Sequence, residues 1–585
     1  MEVPAMPRFR PWFRRRTAAT AAAAAGLATV LVVGCSSSGK EDPAAGTDLV
    51  AAPRAAVRDG GTLRWAVDAP PATLNAFQAA ADRTTALLTG AVLPTLFRLD
   101  GRGRPSPDPD FLRSADVVRT EPRQVVAYRL NNKAVWSDGR PIGAADFAAQ
   151  WKALSGWDEG FWAARNSGYD RIADVRRGAD AHEVRVTFSK PYADWRSLFT
   201  PLYPRAVMAT ADAFNTRSRT SLPAAGGPFA VQTVAPDRVT LVRNPRWWGE
   251  RAKLDRLVLT VVPPARRPAE LAAGRLDVAE VDPDHRGGHR VRKTLAASYT
   301  QLTLNGGPGR PLADEGLRRA VARAIDRRAI AASVLRPLGL PADPLGNHLV
   351  LAGQPGYADH SSALGSADAK AVRAQLTEAG WSPAETALPQ GPSAQGVPPA
   401  AAHGRKTDEP AVRKGGRPLT LRLLVPGDSA LLDQVAARIR AQLATVGIVT
   451  DTVRVAGDGF FLDHIAAGEF DLALFSWPGS AYPATDDRSV FAKPHLAADG
   501  SLGIGQNYSR VGTDQIDQLF DQAGAELDPV AGYGLTARAD ARIWAAAGSV
   551  PLFQQPQLVA LAPRVANAGA FGFATPRYQD LGFRG

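Results

Sequence analysis

Between residues 419 and 475 the chain changes its apolar period twice, and this succession restricts the fold more than any other feature. "LTLRLLV" (residues 419–425) alternates with period two, as a strand with one buried face does. Residues 429–446 then set Leu432, Val435, Ala436, Ile439 and Leu443 on one helical stripe, with Ser429 as the expected N-cap. Residues 449–455 and 470–475 return to strand patterning. Strand, helix, strand at this spacing predicts a right-handed crossover and a mostly parallel sheet.

The second constraint is a single cysteine in 585 residues. With one thiol no disulfide can form within the chain, so the fold must stand on burial alone. Cys35 lies in "TVLVVGCSSSGKED", after a cluster of five arginines (Arg8, Arg10, Arg14, Arg15, Arg16) and an uncharged run at 18–33. A basic start, a short apolar core and small residues at its end compose a secretory signal. The run is shorter than the roughly 20 residues that span a bilayer. Val32-Val33-Gly34-Cys35 resembles the lipobox of bacterial lipoproteins, in which the cysteine thiol is alkylated with diacylglycerol and the chain is cut just before it. That resemblance implies a leader at 1–35, lipidation of Cys35 and a lipid anchor in the membrane. Each buried methylene contributes about 0.8 kcal/mol, and two chains anchor firmly. Residues 36–58 are small, polar and aperiodic, a flexible tether.

The formal charge is +12, of which the leader carries +4. No arginine-rich helix or interleaved basic and aromatic patch accompanies the excess, so nucleic acid is not expected as a partner. Further strands are expected at 62–67, 125–130, 183–188, 238–245 and 255–262. A helix is expected at 144–154, and a helix or helix-to-strand passage at 87–99. A long helix is expected from Asp314 through Leu335, and Ser137-Asp138-Gly139 has turn chemistry. Residues 382–418 are rich in Pro, Ala, Gly and Gln without apolar period, and are expected to form a disordered insertion.

Seven blocks in order resemble the bacterial extracellular solute-binding proteins of family 5, the peptide-binding class of ABC importer receptors. They are "GGTLRWAVDAPPATLNAF" (60–77), "YRLNNKAVWSDGRPIGAADF" (128–147), "GGPFAVQTV" (226–234), "LVRNPRWWGERAKLD" (241–255), "LAAGRLDV" (271–278), "LADEGLRRAVARAIDRRAI" (312–330) and "LTEAGW" (376–381). The resemblance implies an α/β periplasmic-binding-protein-like fold with two hinged lobes and mixed or parallel sheets. It places lobe I at 59–98, 183–305 and 545–585, an extra subdomain at 99–182, and lobe II at 306–544. It implies a monomeric receptor on the extracytoplasmic face of the membrane, without catalysis, cofactor or metal, that closes on a peptide or oligopeptide. The receptor then delivers the peptide to separate permease and ATPase chains. Within these blocks Trp136, Trp247 and Trp248 read as core residues rather than ligand platforms.

In that family the ligand backbone lies along an extended stretch after a lobe II strand, here "FDLALFSWPGSAYPATDD" (470–487). The resemblance assigns Ser476, Trp477 and Pro478 to strand addition with the ligand. Ser480 stands where peptide binders often carry an Asp that pairs with the α-amino group, and Pro478 removes a backbone donor. Asp486 or Asp487 can substitute, or the ligand is blocked, longer or not a peptide. Tyr482, Asn507 and Tyr508, with Asn305 at the expected hinge, complete the candidate site.

Two rival readings come from other segments. "PGDSALL" (426–432) resembles the Gly-Asp-Ser block of secreted esterases, but no Asp-x-x-His follows Ser429 to supply a base. His285 and His289 are four apart, but Gly287 and Gly288 between them prevent a helix from aligning both on a metal.

Overall fold

Ten strands form the central sheet of the protein. They are Thr62–Val67 (β1), Phe229–Ala235 (β2), Arg238–Arg243 (β3), Arg256–Val261 (β4), Val278–Glu280 (β5), Arg290–Leu304 (β6), Thr420–Pro426 (β7), Val449–Val455 (β8), Leu472–Pro478 (β9) and Ser549–Leu561 (β10). Their order across the sheet is β2-β3-β4-β1-β5-β10-β6-β9-β7-β8. The computed structural model describes residues 46–283, 289–383, 411–427, 429–457, 459–497 and 500–585. The expected leader with Cys35, the first part of the tether and His285 lie outside the described residues; the rest of the expected tether, 46–58, is instead built into the fold, with Asp48–Leu49 and Val57–Arg58 paired to the C-terminal segment and Val50 and Val57 buried.

Pairing is parallel where β1 meets β4 and β5, and where β7 meets β8 and β9. It is antiparallel along β2, β3 and β4 and along both long strands, β6 and β10. The mostly parallel sheet expected from the crossover pattern is therefore a mixed one. The two long strands run through both of its halves, which the local period could not reveal.

β10 supplies side chains to two cores, and β6 to the second-half core and, through Val291, to a first-half cluster with Ala66 and Leu271. Leu302 and Leu304 of β6 and Val550, Leu552 and Phe553 of β10 pack in the second half, with Leu423, Val435 and Ile439. Val559 and Leu561 of β10 pack in the first half with Leu63, Leu257 and Val278. Between these ends the β6–β10 register shifts, from Leu295 opposite Pro556 to Tyr299 opposite Gln554. Gln554 Nε2 donates to the Ala296 carbonyl at 2.7 Å across the irregularity. The halves therefore meet near 296–298 and 554–556, whereas the lobe limits expected at 305 and 545 lie just past the end of β6 and, in the helix Pro529–Ala546, just before the start of β10.

A second sheet of four antiparallel strands has the order Leu112–Arg119, Val125–Leu130, Glu183–Phe188, Ile172–Arg177. Glu183–Phe188 is an inner strand here, so the extra subdomain does not end at 182 as expected. Its core continues through Phe199, Tyr203 and Phe214. Trp136 sits in this core fully buried, and its Nε1 donates to Asp146 Oδ2 at 3.1 Å. Asp138 accepts from Arg140 N at 3.0 Å and Gly139 has φ +90°, which makes the turn the sequence implied. Trp247 and Trp248 pack on the same core beside Phe111.

The long helix expected from Asp314 is two helices, Glu315–Arg323 (α1) and Arg327–Leu335 (α2). Asp314 Oδ1 caps Leu317 N at 2.8 Å, and Asp326 Oδ1 caps Ala329 N at 2.9 Å. The second cap starts a new helix where the apolar stripe alone suggested continuity. Ala430–Ala444 (α3) connects β7 to β8, with Ser429 Oγ accepting from Leu432 N at 3.3 Å. The insertion expected at 382–418 is ordered at its ends: Ser382–Pro383, Val412–Lys414 and Arg417–Pro418 form a small sheet, anchored by buried Val412 in the second core. Residues 384–410 lie outside the described residues.

Candidate functional site

The two connections of the second half, from β7 to β8 and from β8 to β9, cover opposite faces of β7. α3 covers Leu421, Leu423 and Val425 with Leu432, Val435 and Ile439. The return from β8 to β9 carries a short π-helix, Phe460–Ile465, whose Phe460 and Ile465 pack on Leu424, Ala473 and Phe475 of the other face. β8 and β9 thus flank β7 by oppositely directed connections, so the carboxyl ends of β7 and β9 frame a topological switch point. Open α/β sheets bind ligands at such crevices. β7 pairs with β9 only at Leu423–Leu472 and Leu424–Ala473. Beyond Ala473 the strand is paired on one side, to β6, through Pro478. The other edge of residues 474–478 faces the crevice.

Side chains along this segment alternate in role. Ser476 Oγ accepts from Gln555 Nε2 at 2.7 Å and lies 3.0 Å from Thr300 Oγ1, while Ser298 Oγ donates to Gln555 Oε1 at 2.9 Å. This network ties three strands together beside the β6–β10 register shift, so the Ser476 hydroxyl is engaged within the protein. Trp477 projects from the opposite face and stacks on Tyr508, with centroids 5.9 Å apart and planes at 9°. Among the described residues its Nε1 is buried without an acceptor, and Gln301 Oε1 is buried without a donor. Both residues line one small cavity with Thr303, Ser509 and Ser549. Pro478 is exposed opposite Ser298.

Past β9 the chain turns through Ser480, whose Oγ accepts from Tyr482 N at 2.8 Å and donates to Asp486. Its carbonyl accepts from Gln354 Nε2 at 2.9 Å. Thr485 Oγ1 donates to Asp194 Oδ2 at 2.6 Å, a bond from the second half to the segment that follows the four-stranded sheet. Ala193 N and Arg171 Nη1 donate in the opposite direction, to the Gly524 carbonyl, at 2.9 and 3.1 Å. The two sides are therefore in contact. Burial raises the Asp194 carboxyl to about 6, opposed by the Thr485 bond and reinforced by the charge of Asp486. Burial, then Asp486 and Asp194, holds Asp487 well above the usual carboxylate range. Burial also raises Asp486, against the pull of its Ser480 bond, and pushes the Tyr482 phenol up. Burial thus favours the neutral forms of these three carboxyls, and a cationic group placed beside them would draw them back towards ionisation.

Two expected site residues are turned inward. Asn305 is buried, with Nδ2 donating to the Gly468 and Phe470 carbonyls at 3.1 and 2.9 Å and Oδ1 accepting from Gly307 N at 3.0 Å. It closes the end of β6 within the second half, away from the register shift. Asn507 is also buried, and its amide spans the Ala492 and Val511 carbonyls at 2.7 and 2.9 Å. Both N–H donors of each amide are thus spent within the protein. Asp194, Gln301 and Phe461 line or border the crevice and were not identified from sequence. Only "GFFLDHI" carried a signal, since a short connection needs fewer large apolar residues than the three adjacent ones it holds.

Comparison with known proteins agrees with this architecture. The model of the bacterial extracellular solute-binding proteins, family 5, matches residues 115–494. The oligopeptide-binding protein OppA of Mycobacterium tuberculosis is 34% identical across 98% of this chain and 95% of its own. A lipoprotein of the same species, described as uncharacterized, is 28% identical over 80% of this chain and 84% of its own. Among solved structures, the periplasmic EDTA-binding protein EppA superposes with a TM-score of 0.79 at 24% identity, covering 93% of this chain and 99% of its own. AppA from Bacillus subtilis, in complex with a nonapeptide, gives 0.70 at 16% identity over 90% of this chain and 99% of its own. On the family match and the near full-length relative, with the two-halved mixed sheet and its switch-point crevice, the chain belongs to the bacterial extracellular solute-binding proteins, family 5.

Proposed function

We propose that the protein captures peptides or peptide-like solutes outside the cytoplasm and delivers them to the permease and ATPase chains of an ABC importer. The free edge of residues 474–478 carries this reading. An extended peptide adds to such an edge by main-chain hydrogen bonds, and its side chains reach pockets on alternate sides. The two halves hinge where β6 and β10 lose register, and ligand favours the closed arrangement only through contacts to both sides. Asp194 from one side and Asp486 and Asp487 from the other supply the carboxyls that Ser480 lacks, and a bound ligand amine would favour their ionised forms. No ligand bond is made or broken in this reading. Lipidation of Cys35 holds the receptor beside its permease, and the lipoprotein among the relatives supports that anchor.

Native mass spectrometry of the chain from residue 36 onward is the direct test. The expected result is co-purifying peptides that exchange with added peptide. Retention of only non-peptide solutes, or turnover of a bound molecule, would overturn the reading. For the anchor, Cys35→Ser is expected to accumulate uncleaved precursor; normal cleavage and membrane retention of that variant would refute lipidation.

A further inference from the structure

The π-helix beside the crevice exposes more apolar surface than its core contacts require. Phe460 and Ile465 are buried, whereas Phe461 is 41% exposed and Leu462 is 73% exposed. The Phe461 ring lies 6.4 Å from Tyr508 and 5.5 Å from Phe475. Tyr508 in turn stacks on Trp477, and Trp477 meets Phe475 at 5.8 Å. Phe461, Tyr508 and Trp477 thus form a row of partly exposed rings over buried Phe475. All of it lies on the face of β9 to which Phe475 and Trp477 project.

We propose that this row selects ligands in which every second side chain is apolar, aromatic above all. The proposal rests on strand addition at residues 474–478 and specifies what that site prefers. In a pleated sheet, alternate side chains of an added strand share the face of alternate residues on its neighbour. Side chains on the Phe475 and Trp477 face would meet Phe461 and Tyr508. Those on the other face would meet Ser476 and its polar network with Thr300 and Gln555. One ligand face therefore contacts rings and the other contacts hydroxyl and amide groups. Aromatic rings gain more from such a row than their area alone provides, because edge-to-face and offset-stacked arrangements are available. The unpartnered Trp477 indole N–H is a donor for an acceptor on the same ligand face.

The test is calorimetric titration of the full-length chain in nanodiscs with three hexapeptides. One is Ala-Phe-Ala-Phe-Ala-Ala, one is its isomer Ala-Ala-Phe-Phe-Ala-Ala, and one is all alanine. The alternating peptide is expected to bind at least about tenfold more tightly than the alanine peptide, and more tightly than its isomer. In Phe461→Ala and Tyr508→Ala the alternating-to-alanine ratio is expected to fall below about threefold, with Phe461→Leu intermediate. Equal affinities for all three peptides, or a ratio unchanged in the variants, would overturn the preference while leaving peptide capture standing. If none of the three binds, strand addition itself fails and the preference falls with it.

Discussion

Asp540 is fully buried and accepts three bonds of 2.8 Å, from the backbone N of His348, from His348 Nδ1 and from His360 Nδ1. Burial works to raise its carboxyl, but the two histidine bonds outweigh that and hold it below the usual value. The Asp540 bond raises His360 above its ordinary 6.5, against partial burial. A histidine raised in the folded state contributes stability that is full below its unfolded value and drains away as pH climbs through the folded one. The thermal midpoint should therefore fall as pH rises past that folded value, and His360→Asn should flatten this part of the profile. Trp136 makes a second prediction. Trp136→Phe leaves Asp146 without the indole donor in a buried site, so denaturant unfolding should show a loss of about 1–3 kcal/mol. The sequence marked Trp136 as core because large aromatic side chains dominate interior burial. It gave no means of distinguishing Asn305 and Asn507 from ligand contacts, because an amide that spans backbone carbonyls is spelled like one that spans a ligand.

Among the elements, β8 has the bounds its alternation indicated, and β9 extends three residues beyond the apolar run, through Ser476, Trp477 and Pro478. Those three residues are half-exposed or exposed and break the aliphatic run, with a proline at the end, whereas pairing to β6 keeps them extended. The α1–α2 break was hidden for a related reason: Leu317, Val321, Ile325 and Ile330 are all buried, so the stripe continues while the axis does not. Asp326→Ala should cost about 1 kcal/mol in chemical unfolding by removing the α2 cap. Hydrogen exchange should quicken first at Ala329 and its neighbours. Pairing partners of β6 and β10 were beyond local patterning altogether, because each meets residues hundreds of positions away.

For the whole molecule, the contacts from Asp194, Ala193 and Arg171 to Thr485 and Gly524 hold the two sides together, with carboxyls on both. A carboxyl raised in the closed form favours that form at low pH, and the preference drains away as pH rises through the Asp194 value of about 6. Ligand-free protein should therefore open on going from about pH 5 to about pH 7.5, seen as a larger radius of gyration in solution scattering. Asp194→Asn should abolish the change, and an added cationic ligand should reverse it in the wild type. The dual membership of β6 and β10 also bears on biosynthesis. The other nine strands of the large sheet leave the ribosome before β10 does, yet each hydrophobic interior lacks one of its inner strands until then. A nascent chain stalled before residue 549 would present both unfinished interiors to chaperones and proteases at once, so truncated receptors should be degraded whole rather than persist as a folded half.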